Sequence, residues 1–360
     1  MNDQSSTPSA SAPAFLEKLI QQAERARASD IHLQMLGKAA QVSLRLDGMM
    51  SPPTSLPEPI AERVFGRIKF LSKLKTYQES LPQDGRIDKA EVGATSDIRV
   101  ATYPTVSGEK IVLRFFTNTE TPTIGDLKFP EPAVAELESF LRGTSGLLLL
   151  TGPAGSGKTT TIYACLRRLA EIGGRHIITI EDPVEQIIPG IMQTEVSEPR
   201  GLTFAKAARH LLRQDPQVLV IGEVRDDETA DIVVRAAMTG HLVISTLHAG
   251  SCSGVIERLQ MMCADSYAAA SSIELIINQR LMRRVCEQCR GERCDACLQT
   301  GYHGRVPVLE WLKFDAAQRA QLRANGPTSV QPQRAAHDAA RELVKSGITN
   351  AAEFERIFSR

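Results

Sequence analysis

The chain of 360 residues predicts an α/β fold: a doubly wound core preceded by a small α+β domain. Three observations carry that expectation. Residues 146–150, 176–180, 218–221 and 242–245 are short apolar runs without alternation, the pattern of strands covered on both faces of a parallel sheet. Helical patterns lie between them, and alternating strands and helices make a doubly wound sheet. The segment before residue 117 instead gives the order helix-strand-strand-helix-strand-strand, that of a small α+β domain.

In chain order, residues 1–13 are mostly Ser, Thr, Ala and Pro without apolar period, and read as a disordered leader. Residues 14–28 put Phe15, Leu19 and Ala23 on one helical face. Residues 31–35 and 41–46 read as strands, with Asp47-Gly48 as a hairpin turn. A helix at 59–74 and strands at 97–103 and 109–116 complete a small domain over 14–116. Residues 117–131 carry prolines and few large apolar side chains, and read as a linker and hinge. The core is expected over 132–280, with helices at 159–169, 203–214 and 226–239. A tetracysteine element at 281–310 and a helical region at 311–360 follow.

Composition excludes several classes. Lysine plus arginine number 42 and acids 42, so a surface built wholly to track nucleic acid is not expected. No apolar run reaches the roughly 18 to 20 residues of a membrane-spanning helix. The N-terminus has no basic segment followed by an apolar one, so no signal peptide is expected.

The segment Gly152, Pro153, Ala154, Gly155, Ser156, Gly157, Lys158, Thr159 fits G-x-x-x-x-G-K-[ST] at every fixed position, between a buried strand and a helix. Its glycines let backbone N–H groups close around phosphates, and the helix start adds positive potential. Lys158 is expected at the β- and γ-phosphates and Thr159 on Mg²⁺. Thr160 completes the set. Hydrolysis also needs a group to handle water. Glu223 ends the strand 218–221 after Gly222, where aspartate usually stands, on the sheet edge where α/β folds bind ligands. Glu181 follows another such strand and could reach the same crevice. Each acid has a plainer reading, as a strand-end carboxylate capping a helix. His248 follows a third strand, either as a satisfied structural residue or as a neutral phosphate sensor.

Cys286, Cys289, Cys294 and Cys297 form two C-x-x-C pairs, the ligand set of a closed structural zinc site in a reducing compartment. Arg280, Arg283, Arg284, Arg290 and Arg293 make the region basic, either as a solvated face or as a docking surface for a membrane component or anionic lipid. Cys165, Cys252 and Cys263 are isolated and read as buried structural thiols.

With these residues in hand, the chain resembles the type II secretion and type IV pilus assembly ATPases, the GspE/PilB type of the secretion ATPase superfamily. TGPAGSGKTTT (151–161), ITIEDPVE (178–185), LRQDPQVLVIGEVRD (212–226) and TGHLVISTLHAG (239–250) resemble that family's four boxes in order. Upstream, SDIHLQ (29–34), LPQDGRI (81–87) and residues 97–116 resemble the domain preceding the motor. The resemblance implies a RecA-like P-loop ATPase core, a small PAS-like α+β domain before it, a short zinc-binding insertion and terminal helices. It implies ATP, Mg²⁺ and Zn²⁺ as cofactors, and a homohexamer serving a pilus or pseudopilus from the cytoplasmic face of the inner membrane. The implied partners are platform and recruiting proteins there; association is peripheral and nucleic acid is not expected.

By the same resemblance Glu223 activates water, Glu181 is an acid near Mg²⁺ and His248 senses the γ-phosphate. Arg99 and Arg114 are arginine fingers, whereas unaided they read as surface strand residues. Arg213 and Arg225 match as well, as buttresses. Two features depart from the family: the four-residue spacer between the C-x-x-C pairs, and an N-terminal docking domain expected to be missing.

Overall fold

The computed structural model describes residues 11–115 and 122–359. The chain divides into two compact units, one of residues 1–120 and 283–304, the other of 121–282 and 305–360. Among the described residues no helix is long and apolar enough to cross a membrane.

The first unit opens with α1 (Ala12–Arg25), capped by the Ser11 hydroxyl, which accepts the Ala14 N–H. Residues 11–13 are thus the start of a helix rather than the end of the expected leader; residues 1–10 lie outside the described residues. Then follow β1 (Asp30–Leu36), β2 (Ala39–Leu46), β3 (Met49–Met50), β4 (Thr54–Leu56), α2 (Ile60–Leu71), β5 (Gln83–Ile87), β6 (Ile98–Thr105) and β7 (Gly108–Phe115). The sheet runs β3-β2-β1-β7-β6-β5, with β4 beside β2. Asp47 and Gly48 both have positive φ, at 50° and 83°, which closes β2 onto β3 in a two-residue turn. Strand alternation sends Ile31, Leu33, Val100, Ile111 and Leu113 to one face, where they share a core with Leu16 and Ile20 of α1 and Val64 and Ile68 of α2. The opposite face is polar. Strand β5 carries almost no apolar signal. Its Gly85 lies so close to α2 that a Cβ there would stand 2.5 Å from the Ser72 carbonyl oxygen.

The second unit begins inside the expected linker. Residues 116–121 lie outside the described residues, but Ile124 and Phe129 are buried against Leu137 and Phe140 of α3 (Glu131–Arg142), so residues 122–131 belong to this core. The elements continue as β8 (Gly146–Thr151), α4 (Lys158–Ile172), β9 (Ile177–Glu181), β10 (Met192–Glu195), α5 (Phe204–Leu211), β11 (Val218–Ile221), α6 (Asp227–Met238), β12 (Leu242–Leu247), α7 (Cys252–Met262) and α8 (Ser266–Ser272). Two long strands follow, β13 (Ile273–Val285) and β14 (Tyr302–Lys313), then α9 (Ala316–Asn325), α10 (Ala336–Lys345) and α11 (Ala351–Phe358). The sheet order is β10-β9-β11-β12-β8-β13-β14, parallel from β10 to β13. Strands β8, β9, β11 and β12 are buried at every position, as runs covered on both faces must be.

Strands β13 and β14 differ from the sequence expectation. Interspersed arginines hide the period of β13, and Trp311 to Lys313 continue a strand where a helical region was expected. The tetracysteine segment is no separate piece between them. It groups with the first unit, where Gly304 donates its N–H to Asp47 at 2.7 Å and Leu298 packs on the apolar core.

Candidate active site and metal centre

Gly152, Gly155 and Gly157 have φ of 134°, 74° and 92°, a left-handed path closed to most side chains. A Cβ on Gly152 would fall 2.1 Å from the Gln279 carbonyl oxygen, and one on Gly157 would fall 2.7 Å from the Gln279 amide nitrogen. Gln279, buried on β13, also accepts the Thr161 hydroxyl at 2.9 Å, so the phosphate loop rests on it. Sequence reading misses Gln279 because only sheet order brings β13 beside β8. Lys158 folds back, donating to the carbonyls of Gly152 at 2.9 Å and Pro153 at 3.0 Å. Burial lowers the pKa of its ammonium, and Glu223 opposes that shift. Pro153, Ala154 and Gly155 form the exposed tip, and Thr159 and Thr160 are exposed on the first turn of α4. Ser156 is buried, and its hydroxyl has no partner among the described residues. A cradle sized for backbone alone, an ammonium resting on carbonyls and an open helix N-terminus fit a triphosphate, with Thr159 placed to serve its metal ion.

Glu223 stands after β11. Its Oε1 accepts Arg225 at 2.7 Å, Arg225 reaches Asp182 at 3.3 Å, and His248 Nε2 lies 3.9 Å from the second Glu223 oxygen. Glycine precedes Glu223 for a steric reason: a Cβ on Gly222 would sit 3.2 Å from the Ile180 carbonyl oxygen, where β9 and β11 converge. Glu181 is placed otherwise than expected. Its carboxylate is buried, 6% exposed, and taken up by Tyr163, Thr179 and Gln193. Burial, with Glu181 close by, pushes the Tyr163 hydroxyl well above its ordinary pKa, so Tyr163 stays a phenol. Glu181 therefore braces β9, and the acid beside it that faces Arg225 is Asp182.

Arg99 and Arg114 lie on the polar face of the first unit. Register pairs Arg45 with Asp30, Asp30 with Arg114, Arg114 with Arg99 and Arg99 with Arg86, one line across β2, β1, β7, β6 and β5. Arg86, Arg99 and Arg114 are each about two-thirds exposed. Like charges directly opposite one another on adjacent strands destabilise a sheet, so this row is an electrostatic liability unless an anion meets it. Acids hold it in part: Arg114 donates to Asp30 at 2.8 Å, Arg86 pairs with Asp97, and Asp84 lies 3.9 Å from Arg99. Arg86 is the member missed in sequence, since register alone aligns it with the others.

Asp30 anchors the row. Burial would raise its pKa, but hydrogen bonds from Arg114 and Ser29 outweigh that and hold it below the ordinary value. A depressed acid stabilises the fold fully above its unfolded pKa of about 3.9 and loses that contribution as pH falls through the folded value. Asp30→Asn is expected to cost about 1.5 to 3 kcal/mol at pH 7. The gap from wild type should narrow in denaturant titrations as the pH is taken below about 3.9.

The four cysteine sulfurs lie within 4.8 Å of one another, with separations of 4.0 Å for Cys286–Cys294 and 3.8 Å for Cys289–Cys297 and Cys294–Cys297. A tetrahedron with Zn–S near 2.3 Å has edges of about 3.8 Å; a disulfide would need about 2 Å. The short spacer still closes a four-sulfur cage. Backbone N–H groups of Cys294 and Gly301 reach Cys297 at 3.3 and 3.2 Å. The donor set fits zinc. The expected basic face is broken up: Arg280 is tied inward to Ile357, Arg283 stacks over Tyr302 at 3.9 Å and Arg284 pairs with Glu287. Cys165, Cys252 and Cys263 are buried, and burial pushes the Cys165 thiol up to about 12.

Residues 6–358 match the family model described as Type II/IV secretion system protein. The chain is 37% identical to the protein transport protein HofB homolog of Haemophilus influenzae, over 96% of this chain and 73% of that protein. It is 36% identical to the type IV pilus assembly ATPase PilB of Thermus thermophilus, over 95% of this chain and 42% of that protein. It is 35% identical to the type II secretion system protein E of Pseudomonas aeruginosa, over 95% and 74%. Among solved structures, the Legionella pneumophila ATPase DotB superposes with a TM-score of 0.74 at 22% identity, covering 99% of this chain and 98% of that one, a likeness of fold. The pilus retraction motor PilT, with bound ADP, superposes at 0.66 and 27% identity, covering 96% and 97%. The chain belongs to the Type II/IV secretion system protein family.

Proposed function

We propose that this chain is an ATPase that drives a type II secretion or type IV pilus assembly machine. The observation that carries the reading is the phosphate loop of residues 152–159, with Glu223 at the end of β11, two strands along the same sheet, and His248 3.9 Å from it. ATP is held by the loop N–H groups and Lys158, and Mg²⁺ by Thr159. A bound Mg²⁺ neutralises phosphate charge. Glu223 accepts a proton from the attacking water. Arg225 holds the carboxylate through one oxygen and leaves the other toward His248. His248 meets the γ-phosphate. Glu181 keeps β9 in place, and Arg213 is a buttress.

The arginine row of the first unit supplies positive charge to the γ-phosphate as it leaves, with Arg86 joining Arg99 and Arg114. Since the three share that charge, Arg86→Ala is expected to lower turnover about 10²-fold, at the low end for loss of one charge-stabilising donor. Nucleotide affinity should stay near wild type in a fluorescent-nucleotide titration.

The motor works as a homohexamer at the cytoplasmic face of the inner membrane, recruited by platform proteins, and Zn²⁺ closes the four-cysteine element. The likeness to PilT favours a second reading, a retraction motor. The tetracysteine element, an assembly-type feature, favours assembly. Steady magnesium-dependent phosphate release by the purified chain supports the ATPase reading. A well-folded sample that takes up no adenine nucleotide overturns it.

A further inference from the structure

We infer that Arg280 is a positioning residue that couples the end of the C-terminal helix to the loop carrying His248. Arg280 follows Gln279 on β13, so neighbouring residues of one strand serve the two loops of the site. Its Nη1 donates to the Ile357 carbonyl at 3.0 Å and its Nη2 to the Gly250 carbonyl at 3.2 Å. The guanidinium lies over the Phe358 ring, 5.1 Å from the centroid. Phe358 in turn packs on Phe354 and His337, with centroids 5.0 and 4.4 Å away. The end of α11 thus reaches the histidine loop through one side chain.

The loop's remaining ties come from the sheet. Ala249 exchanges two 3.0 Å hydrogen bonds with Thr151, and Cys252 donates its N–H to Glu310 at 2.6 Å. Gly250, between them, is the point at which the C-terminal helix is felt. A planar fork can straddle two carbonyls from different elements while stacked on a ring; a single ammonium cannot hold all three contacts. Burial lowers the pKa of this guanidinium and Glu310 opposes the shift, so the charge is retained where it is half-buried. The catalytic consequence rests on the proposed place of His248; the coupling itself does not.

Hydrogen exchange on the full-length, zinc-loaded chain tests it. Arg280→Met and Phe358→Ala should each speed exchange at the Ala249 and Cys252 amides about tenfold or more, with the amides of residues 152–158 unchanged. Arg280→Lys should not restore protection. Phe358→Ala removes only the ring, and keeps the test readable if Arg280→Met fails to fold. In turnover, Arg280→Met should lower kcat with KM unchanged and add little in a His248→Ala background, since residues acting through one another are not additive. Wild-type exchange at both amides in the folded variants, or full additivity with His248→Ala, overturns the coupling. If His248→Ala keeps wild-type turnover, the place of His248 falls and the exchange result alone decides on Arg280.

Discussion

Glu223→Gln is expected to bind ATP with near-wild-type affinity and to hydrolyse it about 10²- to 10⁴-fold more slowly, the usual cost of losing a positioned general base. The amide has the size of the carboxylate and still offers Arg225 an acceptor, so the end of β11 should keep its shape. It cannot take a proton from water. Lys158→Ala should behave differently. Its ammonium bridges the Gly152 and Pro153 carbonyls within the phosphate loop itself, so removing it should abolish both binding and turnover. Phosphate release measured alongside a fluorescent-nucleotide titration separates the two. Wild-type turnover by Glu223→Gln would move the water-activating role to another acid. Asp182, across Arg225 from Glu223, is the next to test, because Glu181 is occupied by Tyr163, Thr179 and Gln193.

Loss of zinc should be the largest structural effect. Metal binding contributes about 10 to 16 kcal/mol to the folding of small zinc modules, and this segment has little else to hold it. Arg290, Arg293, Leu298 and Gln299 all adopt positive φ, between 47° and 72°, which side chains other than glycine resist. Of the apolar contacts with the neighbouring core, the segment makes one through Leu298. Cys289→Ser, or treatment with a strong chelator, should take the metal content from one zinc per chain to none. Rapid proteolysis between residues 286 and 300 should follow, while the sheet of the first unit survives because most of its core comes from β1, β2, β6, β7, α1 and α2. A metal-free chain as resistant as the wild type would show the cage to be dispensable.

Much of this was legible from residues alone. The phosphate loop is local: eight consecutive positions specify a turn whose glycines and lysine act on one another, and no distant contact is needed to recognise it. The buried strands declared themselves by unbroken apolar runs, since a strand covered on both faces has no polar side to show. The cysteine spacing likewise predicts a four-sulfur cage, because each C-x-x-C pair places two sulfurs within one turn. Other features were hidden by distance along the chain. Arg86 joins Arg99 and Arg114 only because β5, β6 and β7 pair in one register. Gln279 and Arg280 serve the site only because β13 lies beside β8, more than a hundred residues earlier. Glu181 reads in sequence as an open acid, but Tyr163, Thr179 and Gln193 take up its oxygens, from positions the chain order does not show to be close. Local spacing determines which groups can bind phosphate or metal, because those groups contact one another within a turn or two. Strand register and side-chain burial decide which of the remaining charges are free to act, because both are set by pairings between segments that the chain order does not place together.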